Sequence, residues 1–311
     1  MKKSLLQLFP SLIMIVFFLS SCAKEPTLGP IEAEVDGFSV SFSAFSTDAP
    51  NYLWEFGDET TSTELSPIHV YEHAGNYTVS LTVSGRGGEA QTQKEVRILP
   101  SVNDMLTGGS NTPNGKTWVL SSAYVEGVNG GSVVDNDMVV ILPTVEDILS
   151  IIGLGEEYDN EFTFYSDGRY KVDVKNGKAL TAGIYATLND IIIDVGNEEN
   201  TMGIYQASYS NPAMATWTLH TEDLVIDAIS NPFGQTVPAP VESRTITGKK
   251  WVSISGDAFF GILDFPSTRQ FLIKEISPER MDVALFICIY YYDENKLDAP
   301  AYLYHLSYVP Q

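Results

Sequence analysis

The chain has 311 residues and a strongly acidic balance, 18 Lys and Arg against 40 Asp and Glu, for a formal charge of −22. That charge excludes nucleic acid as a partner, because phosphate binding needs clustered cations. Two cysteines give no disulfide framework, and 11% aromatic content with abundant Gly and Pro favours an all-β, secreted-type protein long enough for two domains.

Met1-Lys2-Lys3 is a basic start, residues 5–19 are apolar, and Leu19-Ser20-Ser21-Cys22 puts small residues before a cysteine. The apolar run is too short for a stable membrane span. The pattern resembles a bacterial lipoprotein signal, which implies that residues 1–21 are removed and that Cys22 is lipidated. Ala23-Lys24-Glu25-Pro26 resembles the export tags of surface-displayed lipoproteins. It implies an outer-membrane, cell-surface location in which the lipid alone touches the membrane. Residues 22–29 are then a tether. With Cys22 acylated, Cys288 has no partner, and its apolar surroundings (residues 284–289) make it a buried small hydrophobe rather than a nucleophile.

Phe38, Val40 and Phe42 alternate with Ser39, Ser41 and Ser43, the period of a strand with one buried face. Residues 52–56 form a second strand, closed by Gly57-Asp58. Tyr77, Val79, Leu81 and Val83 alternate with polar residues in a third, and residues 85–88 turn it into a fourth. Short alternating strands at this spacing read as an immunoglobulin-like β-sandwich. Trp54, Phe56, Gly57 and Asp58, then Pro67, His69 and Tyr71, then Gly75, Tyr77, Val79, Leu81 and Val83 resemble the signature of the polycystic-kidney-disease (PKD) domain. The resemblance covers residues 30–99 and implies a spacer or interaction module, not an active site. It departs at Glu59, where the family usually has glycine. Trp54 is expected between the sheets, Asp58 on the turn's backbone donors, and His69 and Tyr71 at the edge of the core. His73 is expected in solvent.

Residues 100–114, rich in Gly, Ser, Asn, Thr and Pro, read as an inter-domain linker. From residue 115 onward strand patterns dominate. They cover residues 118–122, the hairpin 161–174 around Asp167-Gly168, and residues 184–188, 191–195, 215–219, 224–229, 251–255, 270–276, 281–292 and 302–308. One short helix is expected over residues 144–152, with Thr144 and Asp147 as a capping box and Val145, Ile148, Leu149 and Ile152 as its stripe. About a dozen strands imply a β-sandwich, jelly roll or lipocalin-like barrel over residues 115–311. Gly115-Lys116-Thr117-Trp118-Val119 is echoed by Gly248-Lys249-Lys250-Trp251-Val252, which suggests two equivalent positions; both tryptophans read as core.

No chemistry-bearing constellation stands out. Neither paired carboxylates at glycosidase spacing, a G-x-S-x-G elbow, a zinc-type histidine pair nor a phosphate loop occurs, so the chain reads as non-enzymatic. Asp135 and Asp137 are weak calcium candidates, the acidic residues Asp190, Asp194, Glu198 and Glu199 likewise, and no other cofactor is implied. The C-terminal region resembles β-domains of glycan-binding lipoproteins in polysaccharide-utilisation systems. That resemblance implies a polysaccharide or oligosaccharide ligand and an outer-membrane uptake complex as partner. Sugar faces stack on aromatic rings, which makes Trp217, Tyr205, Tyr209, Tyr290, Tyr291 and Tyr292 the candidate platform. The rival reading is a structural or adhesive surface protein that binds another envelope protein.

Overall fold

The computed structural model describes residues 24–109, 112–229, 240–288 and 298–311. The chain divides at residue 99/100 into two units. The candidate tyrosines Tyr290, Tyr291 and Tyr292 and the lipidation candidate Cys22 lie outside the described residues.

The N-terminal unit is a two-sheet sandwich. Strands β1 (Thr27–Asp36), β2 (Ser39–Thr47) and β5 (Ile68–Val70) form one sheet, and β4 (Thr61–Ser62), β3 (Asn51–Glu55), β6 (Gly75–Gly85) and β7 (Gly88–Ile98) the other. Since β1 begins at Thr27, the last residues assigned to the tether belong to the sheet. Inward-facing Val40, Phe42, Trp54, Val79, Leu81 and Val83 fill the space between the sheets. Trp54 is fully buried, and its indole N–H donates to the Glu64 carbonyl at 2.9 Å. The Asp58 carboxylate accepts from the Thr60 backbone N–H and hydroxyl and makes a 2.7 Å contact with His69 Nε2. The His69 ring lies flat on Phe56, with centroids 4.1 Å apart, and edge-on to Tyr71. These signature side chains are therefore engaged in packing and turn formation, while His73 is exposed. Glu59 has φ = 71°, so it occupies the left-handed conformation that its glycine counterpart would adopt without strain.

The C-terminal unit begins inside the expected linker. Ser101 and Asp104 form a reciprocal capping box for helix α1 (Val102–Thr107). Leu106 of that helix is fully buried, and its carbonyl accepts from the Trp118 indole at 2.9 Å. An apolar anchor and a capped start make residues 101–107 part of the second core, which corrects the linker assignment.

The chain then runs through β8 (Lys116–Leu120), β9 (Gly130–Val133), β10 (Leu142–Pro143), α2 (Ile148–Ile151), β11 (Glu161–Phe164), β12 (Arg169–Asp173), β13 (Lys178–Ala182), α3 (Gly183–Leu188), β14 (Ile192–Asp194) and β15 (Ile204–Ser208). It continues with β16 (Ala215–His220), β17 (Leu224–Ile229), β18 (Val241–Ile246), β19 (Lys250–Ile254), β20 (Gln270–Ile276), β21 (Met281–Ile287) and β22 (Tyr302–Pro310). Strands β8-β11-β12-β16-β19-β20-β21-β22 pair antiparallel in chain order, and β22 pairs back onto β8. The sheet is thus a closed up-and-down barrel, the lipocalin-like alternative among the expected architectures. A small sheet of β13, β15 and β14 and a β17–β18 hairpin are inserted between successive barrel strands.

Alternation along each strand sends one set of side chains into the barrel. These include Trp118, Phe162, Phe164, Tyr170, Val252, Phe271, Val283 and Tyr308. The loop between β19 and β20 folds into the lumen. Phe260 lies 4.4 Å from Phe271, 4.5 Å from Tyr308 and 5.0 Å from Phe162 between ring centroids. Gly261, at φ = 72°, lies against the Tyr308 hydroxyl and leaves no room for a Cβ. On the outer face, Leu272, Ala284, Phe286 and Leu303 are covered by Leu224, Ile226, Ala228 and Ile246 of the β17–β18 hairpin.

Three local expectations are corrected. Residues 184–188, read as a strand, form α3: Ala186 is buried and the Thr187 hydroxyl bonds back to the Gly183 carbonyl, both helical relations. The helix expected over residues 144–152 contracts to α2, because Asp147 is left-handed (φ = 54°) and gives no side-chain cap. The two Gly-Lys-x-Trp echoes are not equivalent. Trp118 points into the barrel, whereas in β19 the inward residues are Val252 and Ile254. Trp251 points outward and stacks on His220 at 3.7 Å. A shift of one residue reverses the face.

Two consequences are measurable. Glu59→Gly should stabilise the N-terminal unit by about 0.5–1 kcal/mol by removing left-handed strain. Calorimetry on the whole chain, with the barrel transition as internal control, checks it. Glu157 is buried and accepts from Asn160 and Gln206. Burial outweighs these bonds and raises its carboxyl to about 7. Asp264 is raised to about 7 in the same way, although the Cys288 and Phe265 N–H groups donate to it. A folded-state pKa above the unfolded value means that the folded chain keeps a proton the unfolded chain has released. This stability is present at low pH and fades as pH rises from the ordinary carboxylate range to about 7. His305, lowered to about 3 by burial and by Lys274, has the opposite slope below the ordinary histidine range. The stability of wild type minus that of Glu157→Gln should therefore fall by about 2–3 kcal/mol between roughly pH 4.5 and 7, measured by urea unfolding.

Candidate functional site

A strand has two hydrogen-bonding edges. β21 occupies one edge of β22 along its length, from Met281↔Tyr308 to Ile287↔Tyr302. The other edge is divided: residues 308–310 pair with β8, and residues 302–305 pair with β9. Between the two pairings the wall of the barrel parts. The diverted loop after β8 is held on the outer face by a polar network. Ser307 Oγ donates to Asp282 at 2.6 Å and accepts from Arg280 and Asn129 at 2.9 and 2.7 Å. Lys274 donates to the Val128 carbonyl. Gly130, at φ = 143°, lies against the Leu142 carbonyl, so β10 closes on β9 only because no Cβ intervenes.

The parting opens a cavity of about 770 Å³, within the range of roughly 300–1,000 Å³ common for small-ligand sites. Barrel residues Leu120, Tyr304 and Leu306 form one wall and Ile262 of the lumen loop its floor. Leu180, Met202 and Ile204 come from the segments around the small sheet, and Ile148, Leu149 and Tyr158 from α2 and the turn after it. Leu142 and Val145, 48% and 50% exposed, make an apolar lip, with Ile141 beside them at 48%. None of the residues lining the cavity is Asp, Glu, Lys or Arg. His305 is held neutral, since burial lowers its pKa to about 3. In a chain with 58 such residues (18 + 40), a charge-free concavity is a definite chemical preference.

Ten of the lining residues carry polar side chains, and several of these are engaged within the protein. The Tyr304 hydroxyl donates to the Met202 carbonyl, and the Tyr158 hydroxyl accepts from the Leu149 N–H. Thr144 Oγ1 is buried and has no hydrogen-bond partner among the described residues. His305 and Ser132 lie 2.8 Å apart but do not form a nucleophile and its base. Ser132 gives its proton to the Val133 carbonyl and so accepts from His305 Nε2, while Nδ1 has no carboxylate to orient it.

Of the residues proposed as a sugar platform, the three that are described are held in packing contacts within the protein. Trp217 is 6% exposed, packs edge-on against Phe164, and donates its indole N–H to the Tyr165 carbonyl at 3.0 Å. Its inward position in β16 makes it barrel core, which corrects its assignment as a platform. Tyr209 is half-buried on Phe259, donates to the Asp257 carbonyl, and has its phenol raised to about 12 by burial. Tyr205 is partly buried, with its ring against Gly183. Asp135 accepts from the Met138 N–H in a turn, and Asp137 is exposed. Among the described residues no three His, Cys, Asp or Glu side chains converge as a metal site. The cavity has no local sequence signal, because its lip, residues 139–145, has the apolar character of a buried strand but neither strand nor helix periodicity.

Residues 27–99 match the model of the PKD domain family. Over 74 residues the chain is 42% identical to collagenase ColA of Bacillus cereus, spanning 24% of this chain and 8% of that protein. Over 92 residues it is 34% identical to the pre-pro-metalloprotease PrtV of Vibrio cholerae, spanning 28% and 10%. The chain therefore spans about a tenth or less of the length of these curated relatives. Among solved structures, the PKD1 domain of Vibrio anguillarum Epp is 34% identical, covering 24% of this chain and 95% of that one, with a TM-score of 0.23. A carbohydrate-binding module of the β-sandwich superfamily aligns over 93% of this chain and 92% of that one at 10% identity and a TM-score of 0.22, too low to bear on fold or ligand.

The position of Trp217 carries a direct expectation. Trp217→Ala should lower stability by about 3–5 kcal/mol through the cavity it leaves. Urea unfolding followed by circular dichroism checks it; a change near zero would return the ring to the surface.

Proposed function

We propose, from the premise that residues 27–99 are a PKD domain, that this chain is a non-catalytic ligand-binding protein of the cell surface. Its barrel is the binding unit and the PKD domain an accessory to it. In this reading Cys22 carries the lipid and the mature chain sits on the outer membrane. The observation that carries the proposal is the charge-free cavity at the divided edge of β22. The lumen itself is filled by Phe260 and its aromatic neighbours, so the lateral opening is the concavity available to a ligand.

The ligand class suggested by resemblance is a glycan. A saccharide needs several hydrogen-bonding groups around a flat aromatic face, and the hydroxyls of Tyr158 and Tyr304 in the lining are both engaged within the protein beside the aliphatic walls of Leu120, Leu149, Leu180, Ile204 and Leu306. A small, largely apolar molecule suits it better, and glycan binding becomes the alternative to be distinguished.

Diphenylhexatriene, an uncharged hydrocarbon whose fluorescence rises in apolar surroundings, is the probe of choice. The full-length mature protein should bind it saturably at one site. Ile148→Trp, which fills the cavity from α2, should weaken binding at least tenfold. No saturable binding, or binding indifferent to Ile148→Trp, would sink the assignment. Retardation by a polysaccharide in affinity gels, unchanged in Ile148→Trp, would place a glycan site elsewhere on the chain. For the anchor, Cys22→Ser should move the protein from the membrane fraction to the soluble fraction.

A further inference from the structure

On the outer face of the barrel a serine, a histidine and a glutamate line up in the order that activates a hydroxyl. Pairing of β16 with β19 sets His220 opposite Trp251 and Thr218 opposite Ser253, so His220 and Ser253 are diagonal neighbours on one face. His220 Nε2 lies 2.9 Å from Ser253 Oγ, and its Nδ1 lies 2.7 Å from Glu222 Oε1. A carboxylate only accepts, so Nδ1 carries the proton of the neutral ring and the Nε2 lone pair faces the serine hydroxyl. This is the orienting carboxylate that His305 lacks. The ring is also fixed in place: it lies flat on Trp251, with centroids 3.7 Å apart, and the Trp251 indole donates to the Glu222 carbonyl at 3.0 Å. The Thr221 N–H donates to Glu222 Oε2 at 3.1 Å. The Glu222 carboxyl is held below the ordinary glutamate range, first by its own backbone N–H and then by His220. Ser253 itself is only partly buried, beside the exposed Thr218.

We propose that Ser253 is a modification site, a nucleophile that takes one acyl group from an activated ester or thioester with His220 as its base and Glu222 as the residue that positions His220. A bond forms from Ser253 Oγ to the acyl carbon as the bond from that carbon to the leaving oxygen or sulfur breaks. The hydroxyl proton passes to His220 Nε2 and departs with the leaving group. The same geometry limits the reaction to a single transfer. An oxyanion hole uses the backbone N–H that follows the nucleophile, and here that group is taken: the Ile254 N–H donates to the Arg269 carbonyl at 3.0 Å. The next, of Ser255, donates to the Thr216 carbonyl at 2.9 Å. A stabilised leaving group makes the first transfer feasible without those donors, whereas hydrolysis of the resulting seryl ester would have to expel a serine alkoxide. The chain therefore keeps its acyl group, and the reading of it as non-catalytic stands.

The test is treatment of the full-length protein with p-nitrophenyl acetate, following released nitrophenolate by absorbance and the acetyl group by peptide mass mapping. Nitrophenolate should appear as a burst of one equivalent, with the acetyl group on Ser253. His220→Gln should slow acetylation of Ser253 about a hundredfold. Glu222→Gln, which leaves the imidazole free to turn, should slow it several-fold. Ser255 is the internal control: it is exposed on the same strand, its Oγ accepts from the Thr216 N–H and hydroxyl, and it has no histidine partner. It should stay unmodified. Equal acetylation of Ser253 and Ser255 in the wild type would overturn the proposal even if the variants fail to fold, as would a Ser253 rate untouched by His220→Gln. Release that continues past one equivalent and stops in Ser253→Ala would overturn the single-transfer limit and the non-catalytic reading with it. Dye binding in the cavity should be unchanged in Ser253→Ala, so failure of the cavity assignment and failure of this one are distinct.

Discussion

The division of one strand edge governs the C-terminal unit. β22 has β21 on one side and must share its other side between β8, which closes the barrel, and β9, which does not belong to it. Hydrogen bonds along a strand are obligatory where water is excluded, so both partners are held firmly. Neither can extend into the other's territory, and the gap between them is built into the pairing. Ser307 sits at that junction. Its carbonyl accepts from the Ser121 N–H, and its hydroxyl ties Asp282, Arg280 and Asn129 together. Junction, loop and opening are one feature.

The filling of the barrel follows from the same geometry. Eight strands enclose an interior that side chains can fill. Here the aromatic ring of Phe260 enters from a loop and meets Phe162, Phe271 and Tyr308 from the walls. A lumen packed this way has no room for a ligand. The space displaced from the centre reappears at the side, where Ile262, two residues beyond Phe260, forms part of the cavity. The chain carries 40 Asp and Glu, and their absence from the lining lets an apolar guest enter without meeting a buried charge.

The PKD domain contributes structure of a different kind. Trp54, Phe42, Phe56, His69 and Asp58 form a chain of contacts from the inter-sheet core to the turn that follows β3, with Tyr71 edge-on to His69. Their conspicuous residue types come from a tight turn and a dense aromatic core, with no group left over for chemistry. The left-handed Glu59 shows how firmly the turn is held, since it keeps a backbone conformation that its side chain disfavours.

The residues of the chain specify on their own whatever depends on neighbours in sequence. The PKD signature is legible because turn, strand period and buried tryptophan all fall within residues 52–83. The barrel strands are legible because alternation survives wherever one face is buried, as at Phe162/Phe164 and Tyr170/Val172. Their phase is less so: Trp118 and Trp251 carry nearly the same local sequence and point to opposite faces, since register is set by the partner strand. The burial of Trp217 is likewise decided by a contact from a distant segment, the Phe164 ring. The cavity lies furthest from local information. It exists because residues 118–120, 130–133 and 302–310 compete for one edge, and pairing across nearly two hundred residues leaves no mark in any of the three.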